Sequence, residues 1–279
     1  MEQRYATHPA QVPGMTTSDL RERFLVEDVF IPGEVSLTYT HHDRIVLGGA
    51  MPAGQELPLP TFAEIRSDYF LEHREVGIVN VGGTGTVSAD GAVHTLPKGA
   101  CLYLGRGVRD VVFADAPASD GEGGAQFYLF SAPAHTTFPT ALVLPEEATV
   151  RELGDQETSN RRTLRQYIHE KGVQSCQVVM GVTTLHAGSM WNTMPAHTHD
   201  RRTECYLYFD VPADARVIHL CGQPEETRHL VVADRQAVVS PSWSIHSGVG
   251  TAAYSFVWAM AGENQAFDDM DAVPPTALR

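Results

Sequence analysis

Apolar and polar positions along the chain fall into two textures. Between Thr17 and Phe30 the residues Leu20, Phe24 and Leu25 share one helical face, and Asp19 and Glu22 stand at capping-box spacing. That pattern predicts a short amphipathic helix lying against a sheet or a neighbouring subunit. From Glu34 onward the pattern shortens to runs rich in Val, Ile, Tyr, Phe and Thr, such as Gly77–Val81, Ala100–Leu104 and Ala125–Phe130, punctuated by Gly-Gly, Asp-Gly and Pro-Lys-Gly. Short apolar runs closely spaced by turn residues predict an antiparallel sandwich or barrel.

A second strand-rich stretch runs from Gln174 to Glu263. Between the two lies Leu144–Lys171, whose charged run Ser159–Glu170 is helix-compatible, so the segment reads as a connector carrying a short helix. The two stretches read as degenerate copies. Lys98–Leu104 can be laid against Arg235–Pro241 without a gap, and this register sets Arg109 opposite His246.

Composition adds bounds. A chain of 279 residues with 43% hydrophobic and 19% charged residues is ordinary globular material for one large or two smaller units. A formal charge of -14 argues against a nucleic-acid partner, so an anionic small molecule must be met by a local basic pocket. Met1–Gly14 is polar and Pro-containing, and the chain has no apolar run long enough for a membrane span, so a cytoplasmic protein without membrane contact is expected. Cys101, Cys176, Cys205 and Cys221 lack CxxC spacing and read as reduced thiols.

Candidate chemistry concentrates in Pro195–Phe209. His197 and His199 are two apart, so an extended backbone points both imidazoles to one side. Asp200–Thr203 reads as a polar turn, after which a hairpin would return Glu204 beside the histidines, with Tyr206 and Tyr208 on the same face. A fourth ligand, His246, follows the proline-bearing turn Ser240–Ser244. Three imidazoles and one carboxylate suit Zn, Mn, Fe or Ni. The glycine-rich Gly82–Gly85 lacks a Gly-Lys-Ser/Thr ending and a following helix, so it reads as a β-turn.

The His-Xaa-His pair, the following Glu and the later His after a proline turn resemble the cupins. Trp191 and Val211 stand where flanking glycines fall in the cupin motif, and Trp243 stands at the turn glycine. Longer stretches resemble the 5-keto-4-deoxyuronate isomerase family: Arg23–Phe30, Pro133–Thr137, Thr158–Thr163, Trp191–Pro195, Gly222–His229, Ser240–Gly250, Gly262–Gln265 and Phe267–Met270. The resemblance implies a mainly β bicupin of two antiparallel jelly-roll halves with a few short helices. Its expected parts are an arm with a short helix at 1–33, a first half without a metal site at 34–150, a connector at 151–173 and a metal-bearing half at 174–279. It also implies a homo-hexamer, one Zn2+ per chain on His197, His199, Glu204 and His246, and a place in pectin and uronate breakdown.

The reaction implied by this resemblance is an aldose–ketose isomerisation of 5-dehydro-4-deoxy-D-glucuronate to 3-deoxy-D-glycero-2,5-hexodiulosonate. Its proton carrier is sought among Tyr206 and Tyr208, with His229 or Glu225 as further candidates, while Glu204, as a ligand, could instead orient the substrate hydroxyl. The substrate carboxylate calls for a guanidinium. Arg162 and Arg201 are the choices among Arg161, Arg162, Arg201, Arg202 and Arg228. Two other readings share the ligand set: a metal-dependent bicupin dioxygenase and a non-catalytic sugar-binding cupin.

Overall fold

The computed structural model describes residues 1–117 and 123–279. Its strands form two halves with the same strand order. In the first, a seven-stranded sheet runs Glu2–Arg4, Glu34–Thr40, Val46–Met51, Phe127–Pro133, Arg74–Asn80, Cys101–Leu104 and Ala141–Val143. Facing it is a four-stranded sheet of Leu57–Pro58, Val111–Asp115, Gly85–Ala89 and Ala92–Leu96. In the second half the seven strands are Thr149–Leu153, Arg162–Ile168, Val179–Leu185, Ser255–Gly262, Arg202–Phe209, Ala237–Ser240 and Leu25–Val26. The small sheet there is Trp191–Asn192, Ser247–Gly250, Val217–Gln223 and Glu226–Val232.

The two large sheets lie back to back. One apolar core between them takes Val79, Tyr103 and Phe130 from the first half and Cys205, Leu207 and Val257 from the second. Each half also has its own interior. The first is filled by Val76, Ile78, Phe113 and Phe127, and the second by Tyr206, Tyr208, Val217 and Trp258. Glu75 ties the halves together: it is fully buried and its carboxylate accepts from the Tyr103 hydroxyl and from the backbone N–H groups of Cys176, Gln177 and Val178, at 2.7–2.9 Å.

Three expectations change. The helix spans Thr17–Phe24, and its capping box joins Thr16 to Asp19 rather than Asp19 to Glu22. Leu25 and Val26 are buried on opposite faces, Leu25 in the second-half interior and Val26 in the core between sheets, which only an extended backbone allows. They pair with Val238 and Ala237, so a strand from the arm completes the second half's large sheet.

The expected connector helix is absent. Arg162–Ile168 is a strand of that sheet, paired on both sides, because Leu164 enters the second-half interior while Tyr167 and Ile168 enter the core between sheets. Its charged residues had mimicked a solvated helix face.

The gapless register between halves is also off by one residue. Cys101 and Tyr103 face the core between the sheets, as do Ala237 and Val239, so Cys101 corresponds to Ala237. All four residues of each strand are buried, so neither sequence carries the alternation that would have set the register.

Candidate metal centre

His197 and Thr198 form a short strand, but its partner is Asp271–Ala272 rather than the strand carrying Glu204. The expected hairpin is therefore replaced by a turn. The Arg202 N–H donates to the His199 carbonyl at 3.0 Å, and the chain enters Arg202–Phe209, where residues 202, 204, 206 and 208 point into the second-half interior. His246 arrives from the opposite sheet after a turn closed by the Ser244 N–H on the Pro241 carbonyl. Among the described residues, one group of three or more His, Cys, Asp or Glu side chains is close enough to share an ion: His197, His199, Glu204 and His246.

The four donor atoms form a closed ring. Nε2 of His197 lies 3.1 Å from Nε2 of His199, which lies 2.9 Å from Oε2 of Glu204. That oxygen is 2.9 Å from Nε2 of His246, itself 2.9 Å from Nε2 of His197. An ion with ligand bonds of about 2.1 Å sets neighbouring octahedral ligands about 3.0 Å apart and tetrahedral ones about 3.4 Å apart. The ring fits the former spacing.

Protonation supports the same reading. Nδ1 of His199 is 2.9 Å from the Asp269 carbonyl, which can only accept, so Nδ1 carries a proton and Nε2 is the nitrogen turned toward Glu204. Each short contact in the ring needs a proton or a cation between its two atoms, and one metal ion satisfies all four ring atoms at once. Burial first, and then His246, pushes the His197 imidazole down to about 2. Burial alone would raise Glu204, but His246 and His199 beside it hold the carboxyl well below its ordinary range. Neutral imidazole and ionised carboxylate are the metal-binding forms.

A cavity of about 240 Å³ opens onto His197, His199 and Glu204. Leu153, Leu164, Phe256, Trp258, Met260 and Phe267 supply apolar wall, and Arg162, Thr193 and Tyr206 supply polar groups. Arg162 is half-buried; its Nη1 donates to the Asn160 carbonyl at 2.8 Å. Burial lowers its pKa from a very high value. The Tyr206 hydroxyl is 3.0 Å from Oγ1 of Thr193, and burial, reinforced by Glu204, raises its pKa well above that of a free phenol.

The remaining candidates stand elsewhere. Tyr208 is buried behind Tyr206 with its hydroxyl 2.7 Å from Nδ1 of His219, and it does not line the cavity. Arg201 also lies outside the cavity wall. Its guanidinium engages Asp269 at 2.8 Å and Asp271 at 3.0 Å. Glu225, His229 and Arg161 are exposed and off the cavity, and Arg228 pairs with Glu226.

Sequence reasoning missed the wall formed by residues 263–271. Phe267, Asp268 and Met270 face the cavity, and Gln265 holds the segment to Ser175. It also missed His219, fully buried with Nε2 unpartnered among the described residues, and passed over Arg202, 1% exposed, whose inward parity with Glu204 was the available signal.

Residues 27–273 match the KduI/IolB family. A protein of Kineococcus radiotolerans named 4-deoxy-L-threo-5-hexosulose-uronate ketol-isomerase is 71% identical over the whole of both chains. One of the same name from Halalkalibacterium halodurans is 54% identical, again over both full lengths. Among solved structures, an IolB-like protein of Salmonella typhimurium aligns with a TM-score of 0.71 at 17% identity, covering 90% of this chain and 97% of that one. Oxalate decarboxylase of Bacillus subtilis aligns with a TM-score of 0.54 at 9% identity, covering 80% and 69%. These structural likenesses concern the fold. No helix among the described residues is long and apolar enough to cross a membrane.

Proposed function

Since the chain belongs to the KduI/IolB family, we propose that it performs the ketol isomerisation for which its full-length relatives are named. In this reading 5-dehydro-4-deoxy-D-glucuronate becomes 3-deoxy-D-glycero-2,5-hexodiulosonate in uronate breakdown from pectin. The enzyme is a zinc-dependent cytoplasmic homo-hexamer with one ion per chain. The observation that carries the reading is the buried ring of His197, His199, Glu204 and His246 at the wall of a cavity that also holds Arg162.

His197, His199, Glu204 and His246 would hold the ion, which when bound supplies Lewis-acid polarisation of a carbonyl oxygen. The isomerisation moves the hydrogen on C2 to the aldehyde carbon and the C2 hydroxyl proton to the former aldehyde oxygen within one molecule, so no redox cofactor is consumed. Arg162 anchors the substrate carboxylate: guanidinium meets carboxylate with paired hydrogen bonds, and a half-buried site strengthens them. Tyr206, with its pKa raised, stays protonated at neutral pH and donates a hydrogen bond to a substrate oxygen rather than abstracting a proton. Apolar walls from Phe256, Trp258 and Phe267 exclude water from the reacting carbons. Tyr208, whose hydroxyl is taken by His219, supports Tyr206 by packing at a ring distance of 5.9 Å. Arg201 braces the 263–271 wall instead of touching substrate.

The test is turnover of the keto-uronate by chelator-treated and zinc-restored protein, beside His246→Ala, with product followed by NMR in deuterated water. Zinc-dependent formation of the hexodiulosonate that vanishes in the variant supports the proposal, and deuterium in the product identifies proton transfer rather than a hydride shift. Oxygen uptake with this or a related substrate would move the reading to a dioxygenase. A filled site without turnover would move it to a sugar-binding cupin.

A further inference from the structure

The doublet Arg201-Arg202 sits between two metal-ligand candidates, and its members face opposite ways. Arg202 points inward and is 1% exposed, and among the described residues no carboxylate lies within ion-pair distance of it. Its fork instead grips two backbone carbonyls of the cavity wall: Nη1 donates to Ala266 at 2.7 Å and Nη2 to Asp269 at 2.6 Å. The Asp269 carbonyl is also the acceptor for Nδ1 of His199, at 2.9 Å. Nη2 of Arg202 and Nδ1 of His199 are 3.3 Å apart, two donors converging on one oxygen.

The geometry points to Arg202 as a positioning residue for the metal: by fixing the Asp269 carbonyl it locks His199 with its proton on Nδ1, leaving Nε2 free for an ion. An imidazole ligand is oriented by what its other nitrogen binds, and loss of such a partner typically weakens metal binding about 10- to 100-fold. A planar fork sets two donor nitrogens at a fixed spacing, and here each meets one of the two carbonyls. Its charge works against the arrangement, because a buried cation beside a metal site repels the ion. Geometry and charge therefore predict opposite signs when Arg202 is replaced.

The inference rests on the metal reading and not on the substrate. Zinc affinity is measured by competition with a chromophoric chelator for wild type, Arg202→Met and Arg202→Lys, with circular dichroism confirming the fold of each zinc-free protein. Histidine side-chain 1H–15N spectra of the zinc-free proteins report the His199 tautomer. The expected result is zinc binding weakened about 10- to 100-fold in Arg202→Met and less in Arg202→Lys, which keeps one donor, with His199 losing its Nδ1–H form. Unchanged or tighter zinc binding, the outcome that charge removal alone predicts, overturns the inference, as does a His199 that keeps its Nδ1 proton. Should Arg202→Met fail to fold, Arg202→Lys is judged by the same two measurements. If wild type binds no zinc, the metal reading falls, and the tautomer spectra still decide the role of Arg202.

Discussion

Nε2 of His199 and Oε2 of Glu204 stand 2.9 Å apart, with Nδ1 of His199 committed to the Asp269 carbonyl. A bound cation relieves that contact only in the folded chain. Saturating zinc at about 1,000 times its dissociation constant should add about 4 kcal/mol, which for a chain of this size raises the melting temperature on the order of 10 °C. Calorimetry with and without chelator reads the shift. The same chelator should leave the melting of His199→Ala unmoved, and a full shift in that variant would place the ion elsewhere.

Arg162→Ala should separate binding from turnover. Hydrogen bonds to a charged group are worth about 1.5–3 kcal/mol, so KM rises roughly 10- to 100-fold while kcat stays within about threefold. Initial-rate kinetics on the keto-uronate check this. Arg201→Ala, which removes the ties to Asp269 and Asp271, should leave the carboxylate affinity of the cavity largely intact and lower stability instead.

The two tyrosines should part company. Removing the Tyr206 hydroxyl takes a donor from the cavity and should lower kcat about 100-fold, the usual cost of deleting a donor aimed at developing charge. Tyr208→Phe should leave kcat within about threefold, since that hydroxyl is bonded to His219 away from the cavity. Equal losses in both would move the essential hydroxyl, or the packing behind it, deeper into the barrel.

His219 gives stability a pH dependence. Burial, with His246 second, pushes its imidazole down to about 3 from an ordinary 6.5. As pH falls below about 6.5 the unfolded chain takes up the proton first, so stability is full above that value and is lost progressively toward about 3. At about 1.4 kcal/mol per pH unit the contribution is about 2 kcal/mol between about pH 7.5 and about pH 5. Urea unfolding of zinc-free wild type and His219→Gln at both values isolates it. The variant should show the smaller loss, and parallel curves would contradict the assignment.

Gly181 lets the indole of Trp258 lie directly on the backbone; a β-carbon there would overlap both that ring and the Arg165 carbonyl. Gly181→Ala should cost about 1–3 kcal/mol as an overpacking change, read by thermal melting. Because Trp258 also lines the cavity, KM should rise with it.

How legible was this from sequence? His197 and His199 were visible because alternation on an extended backbone needs only a spacing of two, and Glu204 because it shares a strand face with Tyr206 and Tyr208. The part that 263–271 plays beside His199 was not, since it is done by the backbone carbonyls of Ala266 and Asp269, which leave no mark in residue identity. Arg201 and Arg202 looked alike until strand parity separated them, the one outward to Asp269 and Asp271, the other inward. The strand at Arg162–Ile168 was hidden by its charges, of which Arg162 turns out to face the cavity, and the slip between Cys101 and Ala237 by strands buried on both faces.

The strand Leu25–Val26 belongs to a sheet whose neighbouring strand lies at Ala237–Ser240, and His197–Thr198 is braced by Asp271–Ala272. On a ribosome, residue 26 must wait for residue 237, and the histidine strand for residue 271, whereas most of the first half's pairings close within its own stretch of chain. The first half can therefore pair most of its strands early, its Glu75 ready for the loop at 176–178, while the ion can be loaded only after residue 271 has been added. A prematurely terminated chain would keep much of its first-half β-structure yet sequester no metal, and this separates synthesis of the scaffold from the onset of chemistry.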